Sequence, residues 1–212
     1  MYANRIHMTA NNIQFTPIEI KIAKYIFKHC KERYNARLLA RILNLNHAHA
    51  NKLCNSLAGK RLLKKEAIGN AIYFTYDYES SPALRFMEYI ISLEDLEHPK
   101  WLEVVAHSLK KFNEHIELSL IFGSSIRTKD FHDIDVLVIY DKKNIKRVKK
   151  IKDEIRRSGL IQQPIRYVDM TSNDVIKDKD NKIIYNMIAD SLVSYNSEKY
   201  VEMINQCHKY SK

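Results

Sequence analysis

Two apolar runs, IELSLIF at 116–122 and DIDVLVIY at 133–140, are joined by a polar connection that begins Gly123-Ser124-Ser125. Runs of this length, rich in Ile, Leu and Val, read as neighbouring β-strands. The opening of the second run is the strongest constraint. Asp133 and Asp135 are two apart, so on a strand their side chains share one face while Ile134 points to the other. Two carboxylates side by side repel unless a cation holds them. Gly123 is one of only four glycines in the chain, and it stands at the turn, where a glycine lets successive backbone N–H groups cradle an anion. Mg²⁺, which seeks oxygen and is usually shared with substrate phosphates, suits both walls of such a pocket.

A third carboxylate would complete the ligand set. The run PIRYVDM at 164–170 is strand-like and carries Asp169 near its end, after the basic helical stretch NIKRVKKIKDEIRRSG at 144–159. A strand–helix–strand step is expected to bring Asp169 back beside the first two. The basic stretch is expected to cover the sheet, with a track for an acceptor nucleic acid as the sharper reading.

The net charge of +10 is uneven. Residues 1–80 hold 13 Lys and Arg against 5 Asp and Glu, a net of +8, whereas residues 81–212 hold 22 against 20. A basic first third suggests a polyanionic partner. There, Thr16-Pro17 opens a helix whose apolar stripe is Ile18, Ile22, Ala23, Ile26 and Phe27. NARLLARILNLN at 35–46 gives a second helix with Leu38, Leu39, Ile42 and Leu43 apolar. Asn46 caps a third, with Ala50, Leu53 and Leu57 on one face and Gly59 at its stop. Two strand-like runs then flank Gly69-Asn70, a hairpin signal.

SPALRFMEYIISLEDLEHP at 81–99 reads as a bridging helix with Leu84, Met87, Ile90 and Ile91 on its apolar side, and KWLEVVAHSLKKFN at 100–113 as another helix. No run of 18 apolar residues occurs, and the first residues lack an apolar signal core, so a cytoplasmic protein with no membrane association is expected. Cys30, Cys54 and Cys207 have no C-x-x-C spacing and read as buried thiols, and the nine His form no zinc-like cluster.

Three short helices followed by a hairpin resemble a winged helix-turn-helix over roughly residues 14–80. The resemblance implies that the third helix enters the major groove and the hairpin touches backbone. His49, Lys52 and Asn55 would then face nucleic acid, with Lys60, Arg61, Lys64 and Lys65 at the helix end and on the wing. Phe122-Gly123-Ser124 followed by Asp133-Ile134-Asp135-Val136 resembles the signature of the DNA polymerase β nucleotidyltransferase superfamily, most like its minimal members, over about residues 100–205. That resemblance implies that Gly123, Ser124, Ser125 and Arg127 bind the triphosphate of an NTP. It also implies that Asp133, Asp135 and Asp169 ligate Mg²⁺ and that Asp169 helps deprotonate an acceptor hydroxyl. The chain departs from the family pattern at Thr128, where a second Gly often stands, and at His132, where a Ser often precedes the first Asp.

The expected fold is α+β: a winged helix-turn-helix at 1–80, a bridging helix at 81–99, and a nucleotidyltransferase domain at 100–212 with a mixed sheet and helices. The expected activity is Mg²⁺-dependent transfer of a nucleotidyl group from an NTP to an acceptor, which a partner protein could supply. The alternative is a DNA-binding transcriptional regulator whose transferase-like part is inactive or only senses nucleotide. Expected partners are an NTP, DNA or RNA at the N-terminal region, and a second copy of the chain.

Overall fold

The computed structural model describes residues 6–8, 13–94 and 99–209. The chain is a mixed α+β protein in two compact units, residues 1–90 with 208–212, and residues 91–207. Among the described residues no helix is long and apolar enough to cross a membrane. All three cysteines are buried.

The first unit begins with a two-stranded antiparallel ribbon, β1 (Ile6–Met8) and β2 (Ile13–Phe15). Helix α1 (Pro17–Lys28) starts at a capping box, in which the Thr16 hydroxyl accepts the Glu19 N–H and the Glu19 carboxylate accepts the Thr16 N–H. After β3 (Tyr34–Asn35), Asn35 caps α2 (Ala36–Leu43) and Asn46 caps α3 (His47–Gly59). The hairpin follows as β4 (Leu63–Ile68) and β5 (Ala71–Tyr76), turning at Gly69 with φ +57°. β3 adds to it, giving the strand order β3-β5-β4. The core joins Ile22, Ile26 and Phe27 of α1 to Leu39, Leu57, Phe74 and Tyr76. On α2 the buried face is Ala36, Leu39, Ala40 and Leu43, while Ile42, one of the apolar residues of the stretch, is 39% exposed. The two alanines carry the helical period instead, and this shifts the stripe by one residue. The helix expected over 81–99 is α4 (Ser81–Ser92); residues 95–98 of that expectation lie outside the described residues.

Glu19 is only 2% exposed, an unusual place for a carboxylate. It is matched by the Lys60 ammonium at 2.6 Å and the Ser56 hydroxyl at 2.7 Å. Burial alone would raise the Glu19 pKa; the hydrogen bonds from Lys60, the Thr16 N–H and Ser56 outweigh it and hold the carboxyl below its ordinary range.

In the second unit, α5 (Lys100–Leu109) runs into a 3₁₀ segment at 110–115. Then come β6 (Leu118–Phe122), β7 (Ile134–Ile139), α6 (Ile145–Arg157), β8 (Ile165–Met170), α7 (Ser172–Lys177), α8 (Lys182–Ala189), β9 (Leu192–Tyr195) and α9 (Ser197–Lys209). The sheet order is β8-β7-β6-β9. β6 pairs antiparallel with β7 and β9, and α6 crosses over to make β8 parallel to β7. One face of the sheet (Ile121, Ile134, Val136, Val138) packs on Leu102, Val105 and Leu109 of α5 and on Val148, Ile151 and Ile155 of α6. That apolar stripe is why so basic a helix lies on the sheet. The opposite face carries Leu118, Leu120, Leu137 and Ile139, all buried, and α8 packs against β6.

Lys60→Met strands the buried Glu19 carboxylate and is expected to cost about 1–3 kcal/mol at neutral pH. Because the folded pKa of Glu19 is lowered, its contribution is present above the unfolded value of 4.5 and is lost as pH falls through the folded one. Denaturant titrations of the variant and the native chain should therefore converge in acid.

Candidate active site

The carboxylates sit where β7 begins and β6 ends. Asp135 is the register partner of Phe122, which places it beside Gly123, the next residue. The two approach closely: a Cβ at position 123 would run into the Asp135 carboxylate, with the carboxyl carbon at 3.2 Å and an oxygen closer still. Gly123 also has φ +83°, a conformation that L side chains avoid. Glycine is therefore required twice, for the bend and for the close approach.

From Gly123 the backbone turns through a 3₁₀ segment, Ser124–Ile126, and the N–H groups of Arg127 and Thr128 both bond the Ser124 carbonyl at 3.0 and 2.9 Å. Ser124 is exposed and Ser125 is buried. Thr128 donates its hydroxyl to the Asp130 carbonyl at 2.9 Å. A side chain thus pins the loop at the position where the resemblance leads one to expect a second glycine. Arg127 reaches Asp190, just after α8, at 3.3 Å. Nothing in the sequence pairs these two residues, which are 63 apart.

Asp133 and Asp135 are both half-buried and close enough to influence each other. Burial raises the Asp135 pKa above the ordinary carboxylate range, the Asp133 charge adds to this, and Arg166 pulls the other way. Arg166, on β8, is the register partner of Asp135, and its Nε lies 2.8 Å from Asp133. The cation that the paired carboxylates need is supplied by the protein itself. The Arg166 side chain is 72% exposed, so it is held by this ion pair and not by packing.

The expected role of Asp169 is corrected by the register. Asp169 pairs with Val138, three residues along β8 from Arg166. Three residues is about 10 Å of strand, and an odd step reverses the face. Asp169 therefore lies on the α6 side, where it forms an ion pair with Lys152 and where its charge, after burial, helps to raise the Tyr140 pKa. Lys152 also sits 4.6 Å over the Tyr167 ring. The structure does not bring Asp169 to Asp133 and Asp135, and among the described residues no group of three or more His, Cys, Asp or Glu is arranged to hold a metal. The pair that remains fits one Mg²⁺ that takes its other ligands from water and phosphate, once Arg166 gives way.

The expected nucleic-acid residues divide. His49 and Lys52 on α3, Arg61, and Lys65 on β4 are exposed. Lys60 is engaged within the protein: its ammonium is held against Glu19 and the Gln14 carbonyl, both at 2.6 Å. Lys64 is exposed but pairs with Asp77 and Glu79, and the Asn55 amide is turned back onto the Asn51 carbonyl at 2.8 Å. A groove of about 400 Å³ between the starts of α2 and α3 and the hairpin turn is lined by Arg37, His47, Asn51 and Asn70. Local sequence does not single out these four, because the groove exists only once the hairpin folds back beside α3.

Gly123→Ala is expected to cost about 1–3 kcal/mol from the backbone alone, with displacement of Asp135 on top, read by denaturant titration. Arg166→Gln removes the charge that lowers the Asp135 pKa, so that carboxyl should titrate at still higher pH in carbon-detected NMR.

No protein-family model, curated protein or solved structure matches this chain.

Proposed function

We propose that residues 91–207 form a Mg²⁺-dependent nucleotide site that transfers a nucleotidyl group, and that the first unit is a winged helix-turn-helix that holds the chain on nucleic acid. The observation that carries the first part is the meeting of Gly123 with Asp135, with Asp133 alongside. These are the residues by which the chain resembles the polymerase β superfamily. The Gly123-Ser124 turn would receive the triphosphate, and Arg127 would touch it from the loop. Asp133 and Asp135 would hold the metal, which supplies charge neutralisation of the phosphates. An acceptor hydroxyl attacks the α-phosphorus, the bond to the bridging β-phosphate oxygen breaks, and pyrophosphate leaves. The hydroxyl proton would pass to solvent water at this half-buried site.

A second reading is favoured by Arg166 on Asp133 and by Asp169 across the sheet. In it the pocket binds nucleotide without transfer, and the chain is a nucleotide-responsive DNA-binding regulator. The exposed His49, Lys52, Arg61 and Lys65 support a nucleic-acid partner in both readings.

Calorimetry with each NTP, with and without Mg²⁺, tests the pocket. Binding that needs Mg²⁺ and is lost in Asp135→Asn is expected. Transfer of label from an α-labelled NTP that survives Asp135→Asn would overturn the site. Binding without pyrophosphate release would select the second reading. Binding of the full chain to duplex DNA should weaken steeply with salt. Lys52→Ala with Lys65→Ala should make the log–log slope shallower by about 1 for each phosphate that is no longer neutralised.

A further inference from the structure

The loop that leaves Gly123 has a second side. Residues Ser125 to Lys129 and Phe131 form one wall of a cleft of about 790 Å³, whose other walls are the start of α5 and the α6–β8 connection at 160–163. This volume lies within the roughly 300–1,000 Å³ of small-molecule sites. The cleft is not the carboxylate pocket. Trp101, Phe131 and Ile161 pack against the core on the α5 and α6 face of the sheet, with Ile134 and Val136, whereas Asp135 projects from the other face.

Three features define its chemistry. Trp101 and Phe131 are both half-buried, and their rings meet at 4.6 Å between centroids and 42° between planes. They offer an aromatic surface against which a flat heterocycle can stack. Gln162 and Gln163 bring two amides, each with donors and an acceptor. Arg127 and Lys129 bring two cations, and among the described residues no acidic one lines the cleft. The Arg127 partner, Asp190, is half-buried and lies outside the lining.

We propose that this cleft is a metal-independent mononucleotide site, with the base against Trp101 and Phe131, its edge on Gln162 or Gln163, and its phosphate on Lys129 and Arg127. The combination selects a ligand that is planar, rich in hydrogen-bonding edges and anionic at one end. An aromatic carboxylate would leave the amides unmatched, and an apolar ligand would leave the cations so. The site uses neither Asp133 nor Asp135, and it has Arg127 in common with the nucleotidyl-transfer reading. It shares the loop with them, so its occupant would bear on the Gly123 turn.

Trp101 is the single tryptophan of the chain, and its fluorescence reports the cleft directly. The full chain is titrated with AMP, GMP, CMP and UMP in EDTA, with ligand-detected saturation-transfer NMR as a second readout. A saturable fluorescence change with at least one nucleotide is expected. It should weaken tenfold or more in Lys129→Glu, a change at an exposed position, and in Phe131→Ala, and it should persist in Asp135→Asn. A response that appears only with Mg²⁺ and vanishes in Asp135→Asn would overturn the proposal and place the nucleotide at the carboxylates. Full competition by inorganic phosphate at equal concentration would also overturn it, by reducing the site to a simple anion site. So would silence in both readouts at several millimolar nucleotide. Tighter binding of a short single-stranded oligonucleotide than of any mononucleotide would overturn the free ligand in favour of a strand.

Discussion

The Asp135 carboxylate lies where a side chain on residue 123 would have to be. Most of the chemistry open to the second unit depends on that close approach. Without it the turn after β6 could not bend back at φ +83° so near to β7, and Asp133 and Asp135 would face open solvent at a strand end. With it, the Gly123-Ser124 turn and the paired carboxylates share a corner. The sheet holds this corner still: Ile134 and Val136 are fixed in the core on one side, and Leu137 and Ile139 on the other. The carboxylates thus stand on the most thoroughly buried strand of the unit, which is the rigid mounting that a charge-handling site needs.

Much of this corner is legible in the sequence, because it depends on local rules. A spacing of two on a strand sets the shared face of Asp133 and Asp135, and a glycine at a strand end marks a bend. The same rules yield the three helices and the hairpin of the first unit. Asp169 is not legible. Its face depends on how many residues α6 and its connections consume before β8 starts, and one residue of register reverses the answer. The structure puts Arg166 opposite Asp135, and the parity then sends Asp169 to the far side.

Lys60 departs from its expected place for a different reason. A lysine at a helix end reads as a phosphate ligand, but its partner, Glu19, is 41 positions away. Glu19 itself belongs to the capping box that opens α1. Only the packing of α1 against α3 shows that the two charges neutralise each other under cover. Ile42 is a smaller case: it is apolar yet 39% exposed, because Ala36 and Ala40 are on the buried face of α2. Long-range pairs such as Arg127 with Asp190 leave no local trace at all.

Arg166 carries a consequence for order of assembly. A tethered guanidinium at 2.8 Å is present at Asp133 at a high effective concentration that no dilution lowers. A bare divalent ion must displace it and leave it with nothing in return. A divalent ion already wrapped in phosphate brings an anion that the released guanidinium can take up. On the nucleotidyl-transfer reading proposed above, the ion pair would act as a filter on the form in which a metal arrives. It would favour an ion carried by a nucleotide over the free ion.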